Sequence, residues 1–111
     1  MPGHGLYVVG YVLPIIMAAM ALPMVFGKVP PNPIYGFRTP KTLSSPDIWY
    51  QANRIAGWWM IAAAALAMGF NLVLFAMQWP PEKLIVCMAC GVIASVILAS
   101  VASLLALRKL P

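Results

Sequence analysis

Acidic side chains are almost missing from this sequence. Its 111 residues include only two, Asp47 and Glu82, against seven lysines and arginines, which gives a formal net charge of +5. Charged residues of both signs make up 8% of the chain, whereas soluble domains carry about 25%. Hydrophobic residues make up 63%, and a chain this short cannot bury that much apolar surface in a water-facing core. The composition therefore excludes an ordinary soluble domain and indicates an integral membrane protein.

The same shortage limits the available chemistry. Asp47 and Glu82 lie on either side of a long apolar run, so they cannot act as an acid/base pair. His4 is the single histidine, and the two cysteines, Cys87 and Cys90, lie within another apolar run. Because a closed zinc site needs four ligands, we interpret this C-x-x-C pair as packing residues rather than as a redox or metal site. The sequence predicts no enzyme, no metal and no cofactor.

Three long apolar runs predict an all-α membrane domain covering residues 1–111. They occupy about 6–26, 55–79 and 84–107, and each is long enough to cross a hydrocarbon core of about 30 Å. Pro80 and Pro81 are expected to break the chain between the last two, and this short connection predicts an antiparallel hairpin. Pro14 and Pro23 lie in the first run, where we expect a kink near Pro14 and either a helix end or a second kink near Pro23. The start of the chain has no Lys or Arg, so we expect this first run to be retained rather than cleaved as a signal peptide.

The basic residues predict the orientation of the three spans. Lys83 alone lies on the side of the N-terminus and the short turn. Six basic residues lie on the side of the first loop and the C-terminus: Lys28, Arg38, Lys41, Arg54, Arg108 and Lys109. By the positive-inside rule, loop 27–54 and the C-terminus are cytoplasmic and the N-terminus is outside, in a bacterial or archaeal cytoplasmic membrane. Since these basic residues flank apolar spans, no nucleic-acid binding is predicted.

Two features predict contacts between helices. Gly91, Ser95, Ala99 and Ser103 recur every four residues, so they form a stripe of small side chains on one helix face. This stripe is suited either to packing within the chain or to a homodimer interface. Asn71 is the one strongly polar residue deep in the second span, and we expect it to make an interhelical hydrogen bond, with a serine of the third helix as a candidate partner.

The loop 27–54 differs from the rest of the chain. Its five prolines predict a stiff segment rather than a flexible tether. Ser45, Pro46 and Asp47 then form a helix start with a capping hydroxyl, a proline in the first turn and an acidic residue at the positive dipole end. A short amphipathic helix follows, and it either lies on the membrane surface or extends the second span. Trp49 in this helix is suited to the interface.

The loop also groups residues that favour an anion. Arg38 lies between Gly36 and two threonines, Thr39 and Thr42, and a guanidinium with hydroxyls and free backbone donors suits a phosphate or carboxylate. Arg54, one helix turn after Tyr50 and seven residues after Asp47, can join that site. Asn32 and Asn53 add amides. The alternative is that the arginines anchor at lipid headgroups and the asparagines cap turns.

These residues also carry a family resemblance. The signature consists of Pro31-Asn32, Tyr35 to Thr39, Thr42-Leu43, Trp49, Asn53-Arg54 and Gly57. It resembles that of the SdpI family, named for a membrane protein that gives immunity to a secreted peptide toxin and is thought to hold a transcriptional repressor at the membrane. The founding member looks longer, with extra spans. The resemblance implies immunity or signalling through a loop site centred on Arg38, which meets an anionic ligand, a lipid headgroup or a cytoplasmic protein. Its candidate binding residues are Asn32, Tyr35, Gly36, Arg38, Thr39, Thr42, Trp49, Asn53 and Arg54.

Two other functions fit a chain of this composition. One is an accessory subunit of a larger membrane complex. The other is a small oligomeric transporter, but the three predicted spans contain no Asp, Glu, Lys, Arg or His to relay an ion.

Overall fold

A computed structural model describes Gly5 and residues 7–110 of the chain, so His4 and Leu6 lie outside the described residues. The described part is helical and contains no strand. Helix α1 spans Leu13–Val25, α2 spans Pro46–Ala76 and α3 spans Pro81–Leu107. A π-helical segment, Val8–Val12, leads directly into α1, and together they provide the first of three stretches long and apolar enough to cross a membrane. The prediction of an all-α protein with three spans is confirmed.

The first span contains two changes of helical geometry, each next to a proline. Leu13 N–H bonds to Val8 O, five residues back, in the widened turns that end just before Pro14. Helix α1 ends at Val25, two residues after Pro23. Gly27 then takes a positive φ of 68°, which turns the chain out of the helix without a side-chain clash. Of the two alternatives predicted for Pro23, the structure therefore shows the helix end.

Helix α2 begins as the sequence predicts. The Ser45 hydroxyl accepts a bond of 3.2 Å from Ile48 N–H, and Pro46 occupies the first turn. The helix then continues without a break from Pro46 to Ala76. The short amphipathic helix is thus the first part of the second span, which is one of the two predicted alternatives. It continues because no helix-breaking residue separates it from the apolar part.

Helix α3 begins earlier than expected. The proline pair 80–81 was expected to break the chain, and the third span to begin near Leu84. Instead Pro81 opens the helix, where its missing N–H costs nothing, and Pro80 O accepts a bond of 3.0 Å from Leu84 N–H. The turn between α2 and α3 comprises only Met77 to Pro80, so the predicted hairpin of these two helices is present.

Helix α2 is central, because α1 and α3 both pack against it and make little contact with each other. Gly57 allows α1 to approach closely, because a Cβ built there would lie 2.7 Å from Val25 Cγ2 and 3.0 Å from Ala21 O. Gly91 does the same for α3, since its Cβ would lie 2.7 Å from Phe70 Cδ2. Helix α3 meets the first span mainly at the π-helical segment Val8–Val12. The two outer helices therefore meet near the hairpin turn and not along their full length.

The stripe of small residues on α3 is used within the chain. Ser95, Ala99 and Ser103 are buried, and Gly91 lies against Phe70. The stripe therefore faces into the chain, which is the first of the two predicted alternatives, and its Ala99 and Ser103 line a cavity between the helices. Large apolar side chains are exposed on the outward faces of all three helices, where they contact lipid.

The predicted polar contact in the membrane has a different partner from the one expected. Asn71 Nδ2 donates to the backbone carbonyl of Gly10 at 2.7 Å, while Ser95 Oγ donates to Val92 O in its own helix. The bond is interhelical, as predicted, but the serine partner was wrong. The acceptor is a backbone carbonyl because Pro14, four residues after Gly10, has no N–H to donate to it.

Candidate functional site

The loop between α1 and α2 is a folded structure at one end of the helix bundle, which we call the loop end. Lys41 Nζ donates to the carbonyls of Leu107 and Leu110 at 2.8 and 2.6 Å, so the C-terminus of α3 lies at the same end. Both carbonyls lie at or beyond the end of α3, where the regular helical bonding stops, although Leu107 O also accepts a bond of 3.1 Å from Leu110 N–H. A cation there also favours the negative end of the helix dipole. The sequence did not predict this contact, because it joins residues far apart along the chain.

Asn32 forms the first turn of the loop. Its Oδ1 accepts bonds from the N–H groups of Ile34 and Tyr35 at 2.9 and 2.7 Å. Its Nδ2 donates to the carbonyls of Pro30 and Tyr35 at 2.7 and 3.0 Å. Both donors and both acceptor positions of the amide are thus used inside the loop. In this structure Asn32 organises the turn and offers nothing to a ligand.

Asn53 attaches the loop to α2. It is 1% exposed, and its Oδ1 accepts a bond of 2.6 Å from Phe37 N–H. Its Nδ2 donates to Trp49 O at 2.9 Å and to Phe37 O at 3.3 Å. Gly36 allows this contact, since it has a φ of +111° and a Cβ there would lie 2.7 Å from Asn53 Oδ1.

Trp49 lies under the loop and not at the lipid interface, so that prediction was wrong. It is 0% exposed, and its Nε1 donates to Val29 O at 2.7 Å. Its ring packs in a cluster with Met24 and Val29, and Phe37 packs against the same cluster. The indole is buried because the loop folds back over the first turns of α2, which a helical pattern alone does not show.

The two threonines bond to each other. Thr39 N–H donates to Thr42 Oγ1 at 2.7 Å, and Thr42 N–H donates to Thr39 Oγ1 at 3.1 Å. Thr42 is fully buried, and its hydroxyl donates to Thr39 O at 3.1 Å. This reciprocal pair precedes α2 and sets the direction in which the loop enters it. The hydroxyl of Thr42 is therefore part of the loop framework.

Tyr35 joins the loop to α1. Its hydroxyl donates to Met20 O, so this side chain bonds the loop to the first helix. Burial raises the pKa of the Tyr35 hydroxyl above its ordinary value. The phenol therefore stays protonated at neutral pH and remains a hydrogen-bond donor.

Arg38 and Arg54 are the two candidate residues that remain exposed. Arg38 Nη1 donates to Pro33 O, which anchors one edge of the guanidinium on the loop and leaves its other N–H groups free of hydrogen bonds to the described residues. Arg54 lies beside Gly27 at the base of the loop. Most of the predicted binding residues are thus brought together as the framework of the loop, while these two arginines present charge on its surface.

Sequence reasoning missed a cavity of about 540 Å³ beneath the loop. It lies between α1 and α3, with Ala56 and Met60 of α2 at its floor. The lining side chains are mostly apolar: Met17, Met20, Met24, Ile34, Tyr35, Phe37, Ala56, Met60, Val96, Ala99, Ser100, Ser103 and Leu104, with Gly36. The available signal was the spacing of Met17, Met20 and Met24, which places three flexible side chains on one face of α1.

The three apolar helices and the loop folded onto one end of them define a multi-pass membrane protein with a structured connecting loop. Residues 28–106 match the model of the SdpI/YfhL protein family, and the chain belongs to that family. The matched region includes the whole loop signature, so the resemblance inferred from its residues is confirmed. No curated protein and no solved structure shows significant similarity to the chain.

Proposed function

We propose that this protein confers immunity to a membrane-active peptide toxin, or signals in response to one, through the loop centred on Arg38. Membership of the SdpI/YfhL family supports this class of function. In this proposal the loop is cytoplasmic, as the six basic residues on its side of the membrane favour. In this proposal the protein acts by binding and not as an enzyme. Its two carboxylates, Asp47 and Glu82, lie on either side of an apolar run and cannot act as an acid/base pair.

The observation that supports Arg38 as the centre is its exposed guanidinium on a loop held by many internal bonds. The loop backbone is fixed by Asn32, Asn53 and the Thr39–Thr42 pair, so little conformational freedom is lost when a ligand binds. A guanidinium with free N–H groups binds a carboxylate or phosphate through two parallel bonds. The ligand is therefore an anionic group, carried by a cytoplasmic protein or by a lipid headgroup.

The test is a challenge of cells, with and without the protein, by a membrane-active toxic peptide. We expect survival with the native chain, loss of protection with Arg38→Ala and partial loss with Arg38→Lys, because lysine keeps the charge but not the fork of donors. Arg108→Ala is the matched control, since Arg108 is exposed on the same side but outside the loop.

Membrane levels of each variant must equal those of the native chain. Full protection by Arg38→Ala would contradict the assignment of the site. Absence of protection by the native chain would contradict the immunity function and shift the proposal to a role in signalling or as an accessory subunit.

A further inference from the structure

The cavity beneath the loop is a cleft between two helices that diverge. Helices α1 and α3 both pack on α2, but α3 makes its main contact with the first span at the π-helical segment, near the hairpin turn. At the loop end Met20 of α1 and Val96 and Ser100 of α3 line opposite walls of one cavity. The loop residues from Ile34 to Phe37 cover it at that end.

The cleft opens sideways onto the lipid-facing surface. Four of its lining residues are exposed: Ile34 of the loop at 83%, and on the helices Met20 at 49%, Leu104 at 48%, and Ser100. The last three side chains come from both outer helices, so they border the opening between them. A molecule in the bilayer can therefore reach the cavity without crossing the loop.

The lining is suited to an apolar ligand. Its three hydroxyls are already bonded to backbone carbonyls: Tyr35 to Met20, Ser100 to Val96 and Ser103 to Ala99. Methionines 17, 20, 24 and 60 supply flexible side chains that adapt to a chain of variable shape.

The volume distinguishes a flexible chain from a helical peptide. About 540 Å³ lies within the range of about 300–1,000 Å³ that ligand cavities occupy. A single turn of α-helix, about 10 Å across and about 5.4 Å high, already occupies about 400 Å³. The cleft therefore cannot enclose a peptide helix that crosses the membrane, whereas its volume is comparable with that of a single acyl chain.

We propose that this cleft binds one acyl chain of an anionic membrane phospholipid, with the headgroup at the loop end. The charge at that end supports the choice of an anionic lipid, because six basic residues lie there against Asp47 alone. Each lysine or arginine near the membrane surface adds to the attraction for anionic headgroups. Arg38 is one of these six residues, so this proposal develops the lipid-headgroup alternative proposed for it. Lipid binding is measured without a toxin, so it can fail or succeed independently of the immunity function.

Native mass spectrometry of the delipidated full chain tests the proposal. The probes are phosphatidylglycerol and phosphatidylcholine with identical palmitoyl and oleoyl chains. We expect one phosphatidylglycerol bound per chain, with an affinity about tenfold above that for phosphatidylcholine, since about one to two nearby cationic side chains suffice for such a ratio.

Two pairs of variants locate the bound chain. Ser100→Phe and Leu104→Trp place a large side chain in the cleft, and both positions are exposed, so the helix packing is not disturbed. Val101→Phe and Leu105→Trp are their controls, because these neighbours are 47% and 52% exposed and do not line the cleft. We expect at least about fivefold weaker binding in the first pair and native affinity in the second.

Thermal unfolding of all four variants checks that they fold. Equal losses in cleft and control variants, native binding by both cleft variants, or no bound lipid on the native chain would each overturn the site. Equal affinity for the two lipids would overturn its preference for an anionic headgroup.

Discussion

The side-chain amide of Asn71 replaces a backbone donor that Pro14 lacks. In an α-helix the N–H of residue 14 would bond to the carbonyl of Gly10, but proline has no N–H. Asn71 Nδ2 donates to that carbonyl at 2.7 Å from the neighbouring helix. Asn71 and Pro14 are both fully buried, so water does not supply the missing donor. The proline and the asparagine, 57 positions apart in sequence, thus act as a pair.

This pair predicts a thermodynamic coupling. Asn71→Ala removes the donor to Gly10 and should lower the free energy of unfolding by about 0.6–1.7 kcal/mol, which runs from the average to the maximum found for polar contacts between membrane helices. Asn71 Oδ1 is buried and has no hydrogen-bond partner among the described residues, which costs free energy in the native protein. Because Asn71→Ala also removes this oxygen, we expect the net loss to lie in the lower part of that range. The measurement is equilibrium unfolding in detergent micelles.

The control for that coupling is the double variant. Pro14→Ala restores a backbone N–H four residues after Gly10, so Asn71→Ala should cost much less in the Pro14→Ala background. An equal loss in both backgrounds would show that Asn71 stabilises the fold by some other contact.

Gly36→Ala should destabilise the loop. The φ of +111° is strained for alanine, and the added Cβ would lie 2.7 Å from Asn53 Oδ1, which bonds to Phe37. We expect a loss of about 1–3 kcal/mol in the free energy of unfolding. Faster proteolysis within residues 27–45 would accompany it, because the loop would detach from α2.

Gly69→Ala is the matched control for that variant. A Cβ at Gly69 meets nothing within 4 Å, and the residue lies inside α2. Alanine there should stabilise the helix by about 0.5–1 kcal/mol. A similar loss for both glycines would show that the loop geometry at Gly36 is not the cause.

The spans could be predicted from sequence because hydrophobic length is a local property. The runs 6–26, 55–79 and 84–107 each correspond to a helix, and Ser45 caps α2 as expected. Helix ends were less predictable. Pro81 begins α3 where a break was expected, because proline is compatible with both a break and a first helical turn.

The roles of the loop residues could not be predicted in the same way. Asn53 and Trp49 are residue types that suit a ligand site, but in the structure both attach the loop to α2. Whether an amide bonds to a ligand or to the backbone depends on contacts between distant segments, which no local pattern contains. Arg38 and Arg54 are exposed, so the prediction of a binding surface now depends on these two residues and not on the whole signature.

Lys41→Met should loosen the end of α3. The change keeps the length of the side chain but removes the ammonium that donates to Leu107 O and Leu110 O. We expect a loss of about 0.3–1 kcal/mol, typical of a cation at a helix C-terminus. Faster hydrogen exchange over residues 104–110 is the measurement. Lys109→Met, at an exposed position of the same segment, should leave exchange unchanged, and equal effects of the two variants would contradict a capping role for Lys41.

The orientation of the chain can be tested with single cysteines. In a background with Cys87→Ala and Cys90→Ala, Ser44→Cys reports on the loop and Met77→Cys on the hairpin turn, since both positions are exposed. Because basic residues favour the cytoplasmic side, a membrane-impermeant maleimide should label Met77→Cys on intact cells and Ser44→Cys only after permeabilisation. The reverse pattern would place the loop and Arg38 outside the cell, where they could meet an extracellular peptide directly. A cytoplasmic loop would instead require that the peptide crosses the bilayer or that a cytoplasmic protein is the partner, so this experiment determines which ligand the Arg38 site can reach.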